Sequence, residues 1–320
     1  MSNSTSSADN RTIYQAPPGK APRNPMPKWW LTSVILGGLF AFLLVVGRAE
    51  ISRWYCASAQ NALKDGLYED AITAANNGLS WDPDYVRLMS IRASANNKLK
   101  KFEDAIADYD QLIELALKDD PFGESVLQAK ASKASALQQL DRYDGAIEIL
   151  SEIVEFREDD YHMRNDSKSQ YAYALALNNR AYIQALAHVK GTDDIDIEQA
   201  LADIEKATEL RGADDPIMVD TLGYLQLLNG KHEEAFYHLD QATKMTEESN
   251  SRLKVEVREE MHRAVDQRPY EDLIRQLDEQ LAVILHHRGE AHQALGDDEK
   301  AKSDIDRAVE LGFNPEEGVW

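Results

Sequence analysis

A small residue followed twelve positions later by an alanine is the sequence feature that most constrains this fold, because the pair recurs along the chain. The pairs are Ala59/Ala71, Ala93/Ala105, Ala134/Ala146, Gly223/Ala235 and Gly289/Ala301, and Ala181/Ala200 fits with seven extra residues. Apolar residues follow each alanine at helical spacing, and no convincing alternating strand pattern occurs after residue 50. The pattern predicts an all-α fold in which antiparallel helices meet at small side chains.

Residues at the predicted turns and helix ends support this division into helix pairs. An aromatic residue or a histidine lies three positions before four of the alanines: Tyr68, Phe102, Tyr143 and His232. Prolines at positions 83, 121, 216 and 315 close the units, because proline suits the first turn of a helix or the preceding loop and not a helix interior. Each pair is therefore predicted to be a helix, a short turn and a second helix.

These residues resemble the tetratricopeptide repeat, a helix–turn–helix unit of 34 residues. Ala71 and Ala105 are 34 positions apart, which matches the length of this repeat. The chain departs from the family pattern in two ways: the family's tryptophan is missing, and its Leu-Gly pair is intact only at Leu222-Gly223. The resemblance implies a solenoid of about six degenerate repeats, with a helical insertion at 250–280. The expected repeats cover residues 52–85, 86–121, 127–160, 171–214, 216–249 and 282–315.

The N-terminal segment has a different composition. Residues 1–28 hold five of the ten prolines and predict a flexible tail, whereas residues 29–47 contain no charged side chain. Nineteen helical residues span about 28 Å, close to the hydrocarbon thickness of a bilayer. We therefore predict a single-pass transmembrane helix at 29–47 and a repeat domain at 48–320. The alternative is a cleaved signal peptide, but the length and late start of the apolar run favour an uncleaved anchor.

Flanking residues predict the topology and one mode of assembly. Three basic residues precede the apolar run within about 15 residues and two follow it, which favours a cytoplasmic N-terminus and an extracytoplasmic body. Ser33, Gly37 and Ala41 recur every four residues, a spacing that lets two membrane helices pack closely. A homo-oligomer joined through the transmembrane helix is therefore one predicted assembly.

Charge restricts the class of partner. The chain has a net charge of −21, and residues 49–320 carry 30 basic and 55 acidic residues, a net of −25. This excess argues against nucleic-acid binding, which needs clustered Lys and Arg, and favours a basic or amide-rich protein partner. The single cysteine, Cys56, excludes an intrachain disulfide and a cysteine-built metal site.

Motifs for catalysis fail on spacing. After His232-Glu233, Phe236 stands where a zinc-protease motif needs its second histidine, and no P-loop, nucleophile elbow or dinucleotide fingerprint occurs. The sequence therefore predicts no enzyme activity, no cofactor and no metal site.

The resemblance implies that the first helix of each repeat lines a concave groove that binds the partner. The groove positions in repeats 4 to 6 are Asn178, Asn179, Tyr182, Asp220, Thr221, Tyr224, His286, His287 and Glu290. Tyr182 and Tyr224 are predicted to form a continuous shelf for an extended chain. The leading hypothesis is a membrane-anchored protein-interaction scaffold. The alternative is a ligand- or metal-binding sensor, or an enzyme accessory, that uses His286, His287 and Glu290 on one helix face.

Overall fold

The computed structural model describes residues 28–119, 123–192, 195–212, 214–263 and 267–314, without the side chains at 28–31, 39–46 and 269. Within these ranges the chain forms twelve α-helices and no β-strand. The helices are α1 (Lys28–Lys64), α2 (Tyr68–Trp81), α3 (Val86–Lys98), α4 (Phe102–Asp119), α5 (Glu124–Gln138), α6 (Tyr143–Arg164), α7 (Ser167–Val189), α8 (Ile197–Arg211), α9 (Pro216–Leu228), α10 (His232–Met261), α11 (Arg268–Ala294) and α12 (Asp298–Glu310).

The chain divides into two compact units, Met1–Arg48 and Ala49–Trp320. In the first unit, residues 28–48 are helical, and the predicted tail lies outside the described residues apart from Lys28. Among the residues whose side chains are described, no helix is long and apolar enough to cross a membrane. The side chains at 29–31 and 39–46 of the predicted span lie outside that set.

The second unit is a succession of helix pairs in which each helix packs against the next. The last part of α1 packs on α2, where Cys56 and Ala59 share a buried cluster with Ala71 and Ala75. The other pairs are α3/α4, α5/α6, α7/α8, α9/α10 and α11/α12. The all-α solenoid predicted from the sequence is confirmed over the described residues.

The small residues lie where the helices of each pair touch. The ten alanines of the predicted pairs are at most 4% exposed. A methyl group on Gly223 would lie 2.7 Å from Leu239 Cγ and 3.1 Å from the carbonyl oxygen of Ala235. A methyl group on Gly289 would lie 2.8 Å from Ile305 Cγ1 and 3.2 Å from the carbonyl oxygen of Ala301. The periodic small residue therefore reflects close approach of two helix backbones, because a larger side chain would separate them.

A pair of glycine substitutions tests this packing. We expect Gly223→Ala to lower the free energy of unfolding by about 1–3 kcal/mol, because the new methyl group overpacks the seam against backbone. Gly145→Ala is the control, since its methyl group would lie 3.5 Å from Leu137 Cδ1, an ordinary contact. Alanine is the better helix former, so the control is expected to stabilise α6 by about 0.5–1 kcal/mol. Urea unfolding followed by circular dichroism measures both, and equal shifts would contradict the seam.

Three helix pairs share an ion pair that the sequence analysis did not identify. An arginine directly before the small residue meets an aspartate three positions after the alanine, as in Arg180/Asp203, whose Nε–Oδ2 and Nη2–Oδ1 distances are 2.7 and 2.8 Å. The equivalent pairs are Arg92/Asp108 and Arg288/Asp304. The sequence signal that could have identified them is the arginine sixteen residues before an aspartate, which occurs in the last two pairs. These ion pairs tie the two helices of repeats 2, 4 and 6 together beside the seam.

The segment 250–280 is expected as a helical insertion, and the spacing of Leu273, Leu277 and Leu281 indicates that its end lengthens the first helix of repeat 6. In the structure the segment extends the helices of both neighbours. Residues 250–261 continue α10 and residues 268–280 begin α11, with Pro269 in the first turn, where proline is compatible with a helix. Asn250 donates to the carbonyl oxygen of Leu277 at 2.7 Å, and Lys254 pairs with Asp278. The extension of α11 thereby lies against α10 and supplies side chains to the site described below.

Candidate functional site

The predicted groove residues lie on α7, α9 and α11, the first helices of repeats 4, 5 and 6. Helix α9 contacts both α7 and α11, so these first helices lie side by side. Side-chain caps fix the starts of two of these helices. The Asp166 carboxylate accepts from the Ser169 amide before α7, and the Asp215 carboxylate accepts from the Ile217 amide before α9. We call the surface formed by α5, α7, α9 and α11 the first-helix face.

The centre of this region is a buried pair between repeats 5 and 6. His287 Nδ1 lies 3.0 Å from each carboxylate oxygen of Asp220, and the two residues are 0% and 4% exposed. The Tyr224 ring stacks on the imidazole with centroids 3.8 Å apart and an interplanar angle of 14°. This pair joins α9 to α11 across 67 residues of sequence, and it holds His287 in one orientation.

Burial of Tyr224 corrects one sequence expectation. Its side chain is 6% exposed beneath His287, whereas Tyr182 is half-buried. The two tyrosines therefore do not form the continuous exposed shelf predicted for an extended chain. Tyr182 lies near the same imidazole, with ring centroids 6.4 Å apart, so the tyrosines and His287 form one packed cluster.

The other predicted residues occupy different environments. Thr221 is buried and donates to the carbonyl oxygen of Ile217 at 3.0 Å, and Asn178 is buried with its Oδ1 unpartnered among the described protein atoms. Asn179 is half-buried and lines a separate cavity of about 690 Å³ between α5, α6 and α7. Partner binding by these residues stays a prediction.

His286 and Glu290 form a second, partly exposed group. His286 Nε2 lies 3.5 Å from Glu290 Oε1, and the His286 ring stacks on Phe313 with centroids 4.1 Å apart. Burial acts to raise the pKa of the Glu290 carboxyl, but the hydrogen bond from His286 and the charge of both imidazoles outweigh burial, and the pKa falls below its usual value. His287 is enclosed, so the three residues do not present one common surface.

This geometry bears on the metal-binding alternative. The part of the chain that the structure describes contains no group of three or more His, Cys, Asp or Glu side chains placed to hold a metal ion. The free nitrogen of His287, Nε2, is buried and has no hydrogen-bond partner among the described protein atoms. The hydrogen-bonded pair of His287 with Asp220 therefore connects repeats 5 and 6, and its imidazole is not accessible to act as a base on a substrate.

A cavity of about 310 Å³ opens on the first-helix face beside this pair. It draws residues from four repeats: Gln138 of α5, Tyr182 of α7, Ile217, Asp220 and Thr221 of α9, and Gln276, Glu279, Gln280, Val283 and Ile284 of α11. Three of these residues were predicted site residues. Sequence reasoning did not single out Gln276, Glu279 and Gln280, because it placed 250–280 outside the repeats. It also did not select Val283 and Ile284, which lie within the sixth repeat.

Both tyrosines of the cluster stay neutral. Burial raises the pKa of the Tyr182 and Tyr224 hydroxyls, and the carboxylates of Asp220 and Glu290 raise both pKa values further. The Tyr182 hydroxyl is buried and has no hydrogen-bond partner among the described protein atoms. Tyr182 lines the cavity, and its hydroxyl keeps an unused donor and acceptor.

Comparison with known proteins supports the repeat assignment. The sequence model of the tetratricopeptide repeat matches residues 282–312, within the sixth predicted repeat. PilW, described as a widely conserved type IV pilus biogenesis factor, is similar in structure with a TM-score of 0.52 and 14% identity, covering 83% of this chain and 96% of that chain. A tetratricopeptide repeat protein from Parabacteroides merdae has a TM-score of 0.52 and 16% identity, with 83% and 80% coverage. These similarities show the fold alone.

Proposed function

We propose that this chain is a protein-interaction scaffold whose first-helix face binds an extended segment of a partner protein. The observation that carries the proposal is the cavity shared by the first helices of four repeats, which combines apolar side chains with polar groups. Such a lining suits a peptide, because apolar side chains anchor it while amides and hydroxyls bind its backbone. The net charge of −25 on residues 49–320 favours a basic or amide-rich partner.

Capture from solubilised membranes tests the proposal. We expect the tagged full chain to retain a specific partner, identified by mass spectrometry, and Ile217→Arg to reduce its recovery by about tenfold or more. Ile217 lines the cavity and is 49% exposed, so the change blocks the cavity without disturbing buried packing. Tyr237→Arg is the matched control, because Tyr237 is 66% exposed on α10, away from the cavity. Equal recovery by both variants would exclude the first-helix face as the interface.

Membrane anchoring by residues 29–47 is a further part of the proposal. The uncharged run lies within α1, and its length suits a bilayer. The basic residues before it favour a cytoplasmic N-terminus and a body outside the cytoplasm. Ser33, Gly37 and Ala41 offer a surface for pairing two such helices.

Thiol labelling tests this orientation. The native Cys56 is unsuitable as a probe, because it is buried with 4% exposure. In a Cys56→Ala background, Ser303→Cys places a thiol at an exposed position on α12. We expect a membrane-impermeant maleimide to label it fully in cells with an intact inner membrane. Labelling only after lysis would put the body in the cytoplasm.

A further inference from the structure

We propose that the cavity on the first-helix face receives a lysine or arginine side chain from the partner segment. This inference rests on the proposed scaffold function and specifies the chemistry of what binds. Its first support is charge. The ten lining residues include Asp220 and Glu279, and none of them is Lys, Arg or His. Two basic side chains approach these carboxylates from outside the lining. His287 Nδ1 lies 3.0 Å from Asp220, and Arg275 Nε lies 3.8 Å from Glu279, where both side chains are exposed to solvent and the interaction is weak.

The apolar part of the lining supports a long cationic side chain rather than a small ion. Ile217, Val283 and Ile284 contribute aliphatic surface to the same cavity as the two carboxylates. Lysine and arginine carry a methylene stem below the charged group, and such stems pack on apolar surface while the head finds polar partners. A volume of about 310 Å³ suits one such side chain and not a folded element.

Hydrogen-bonding capacity is available for the charged group. The Asp220 carboxylate binds His287 Nδ1, but a carboxylate has about four acceptor sites, so it can accept another donor. The Tyr182 hydroxyl is unpartnered among the described protein atoms, and its oxygen can accept from an ammonium or a guanidinium. Charged donors make stronger hydrogen bonds than neutral donors, so a cation gains more here than an amide.

The glutamines of the cavity fit the backbone of the same segment. Gln138, Gln276 and Gln280 line the cavity from α5 and α11. A side-chain amide carries both donors and acceptors, as does a peptide group, so glutamines on two helices can bind an extended backbone around the inserted side chain. An acidic partner residue would instead meet two carboxylates and bind poorly.

A peptide library with one fixed residue tests the inference on the full chain in detergent. The probes are immobilised short peptides of random Ala, Ser, Asn and Gln, with Lys, Arg, Gln, Glu or Leu fixed at the centre. We expect the Lys and Arg sets to bind about tenfold better than the Gln set, and the Glu set to bind worst. Added salt should weaken the preference.

Three variants locate the preference. Glu279→Gln removes a charge at a half-exposed position, and Tyr182→Phe removes only the hydroxyl, so both are expected to fold and to reduce the preference for Lys and Arg severalfold. Glu69→Gln removes an exposed charge on α2 and should leave the preference for Lys and Arg unchanged. The cation assignment would be overturned if all five peptide sets bound equally, if the Leu or Glu set bound best, or if no set bound. It would also be overturned if Glu279→Gln and Glu69→Gln had equal effects. The scaffold proposal fails separately, if capture from membranes is insensitive to Ile217→Arg.

Discussion

Asp220→Ala is expected to lower the free energy of unfolding by about 3–5 kcal/mol, the largest effect we predict for a single substitution. Among the described protein atoms, Asp220 is the hydrogen-bond partner of His287 Nδ1, so the change leaves a fully buried imidazole with both nitrogens unpaired. Because repeats in a solenoid contact only their neighbours, the loss should be local. Hydrogen exchange should show reduced protection in α9 to α12 and native protection in α3 to α6.

Two further variants separate the pair from the general loss of a carboxylate. Asp220→Asn keeps an oxygen acceptor for His287 Nδ1 and should lose less stability than Asp220→Ala. Glu279→Ala removes a half-exposed carboxylate from the same cavity and should change stability by less than about 0.5 kcal/mol. Similar losses for Asp220→Ala and Glu279→Ala would show that the buried pair does not hold repeats 5 and 6 together.

Arg288→Met is expected to lower the free energy of unfolding by about 3 kcal/mol. The Arg288 guanidinium donates to both oxygens of Asp304 at 2.7 Å and to Asp240 at 3.2 Å, so it connects α11 to α12 and to α10. Its side chain is 16% exposed, so methionine would fill much of the space. Asp304 would lose both guanidinium hydrogen bonds, whereas Asp240 would keep its ion pair with Lys244. Thermal unfolding of the full chain in detergent measures the loss.

A surface ion pair between repeats 5 and 6 provides the control. Arg307 pairs with Glu247, but both side chains are more than a third exposed, so Arg307→Met should cost at most about 1 kcal/mol. The double change Arg288→Met with Asp304→Leu should recover part of the loss, since replacing both partners of a buried pair by apolar residues is often neutral. A loss in the double variant equal to the sum of the single losses would contradict a direct interaction.

Sequence reasoning reached the helix pairs because their cause is local and periodic. Ala93/Ala105 and Gly289/Ala301 recur at a spacing fixed by two helices and a turn, and the structure has these residues at the helix contacts. The same periodicity placed Asp220 and Tyr182 on first helices. Both line the cavity on the first-helix face.

The contents of the candidate site depended on contacts between repeats, which periodicity does not encode. A repeat register tells which side of α9 bears Tyr224, but not that His287, 63 positions later, covers the ring. The contribution of the α11 extension to the cavity was missed for the same reason, because residues 268–280 follow no repeat and line the cavity only when α11 packs beside α9.

The sequence by itself therefore determined the class of fold, the small residues at each seam and the strongly acidic character of the chain. Backbone sterics and side-chain charge act within one repeat and leave a periodic or compositional trace. The tertiary structure alone decided which polar residues became buried ties, such as Asp220 with His287, and which remain open to a partner, such as Glu279. The exposure of a side chain depends on residues distant in sequence, and only packing of the repeats brings those residues together.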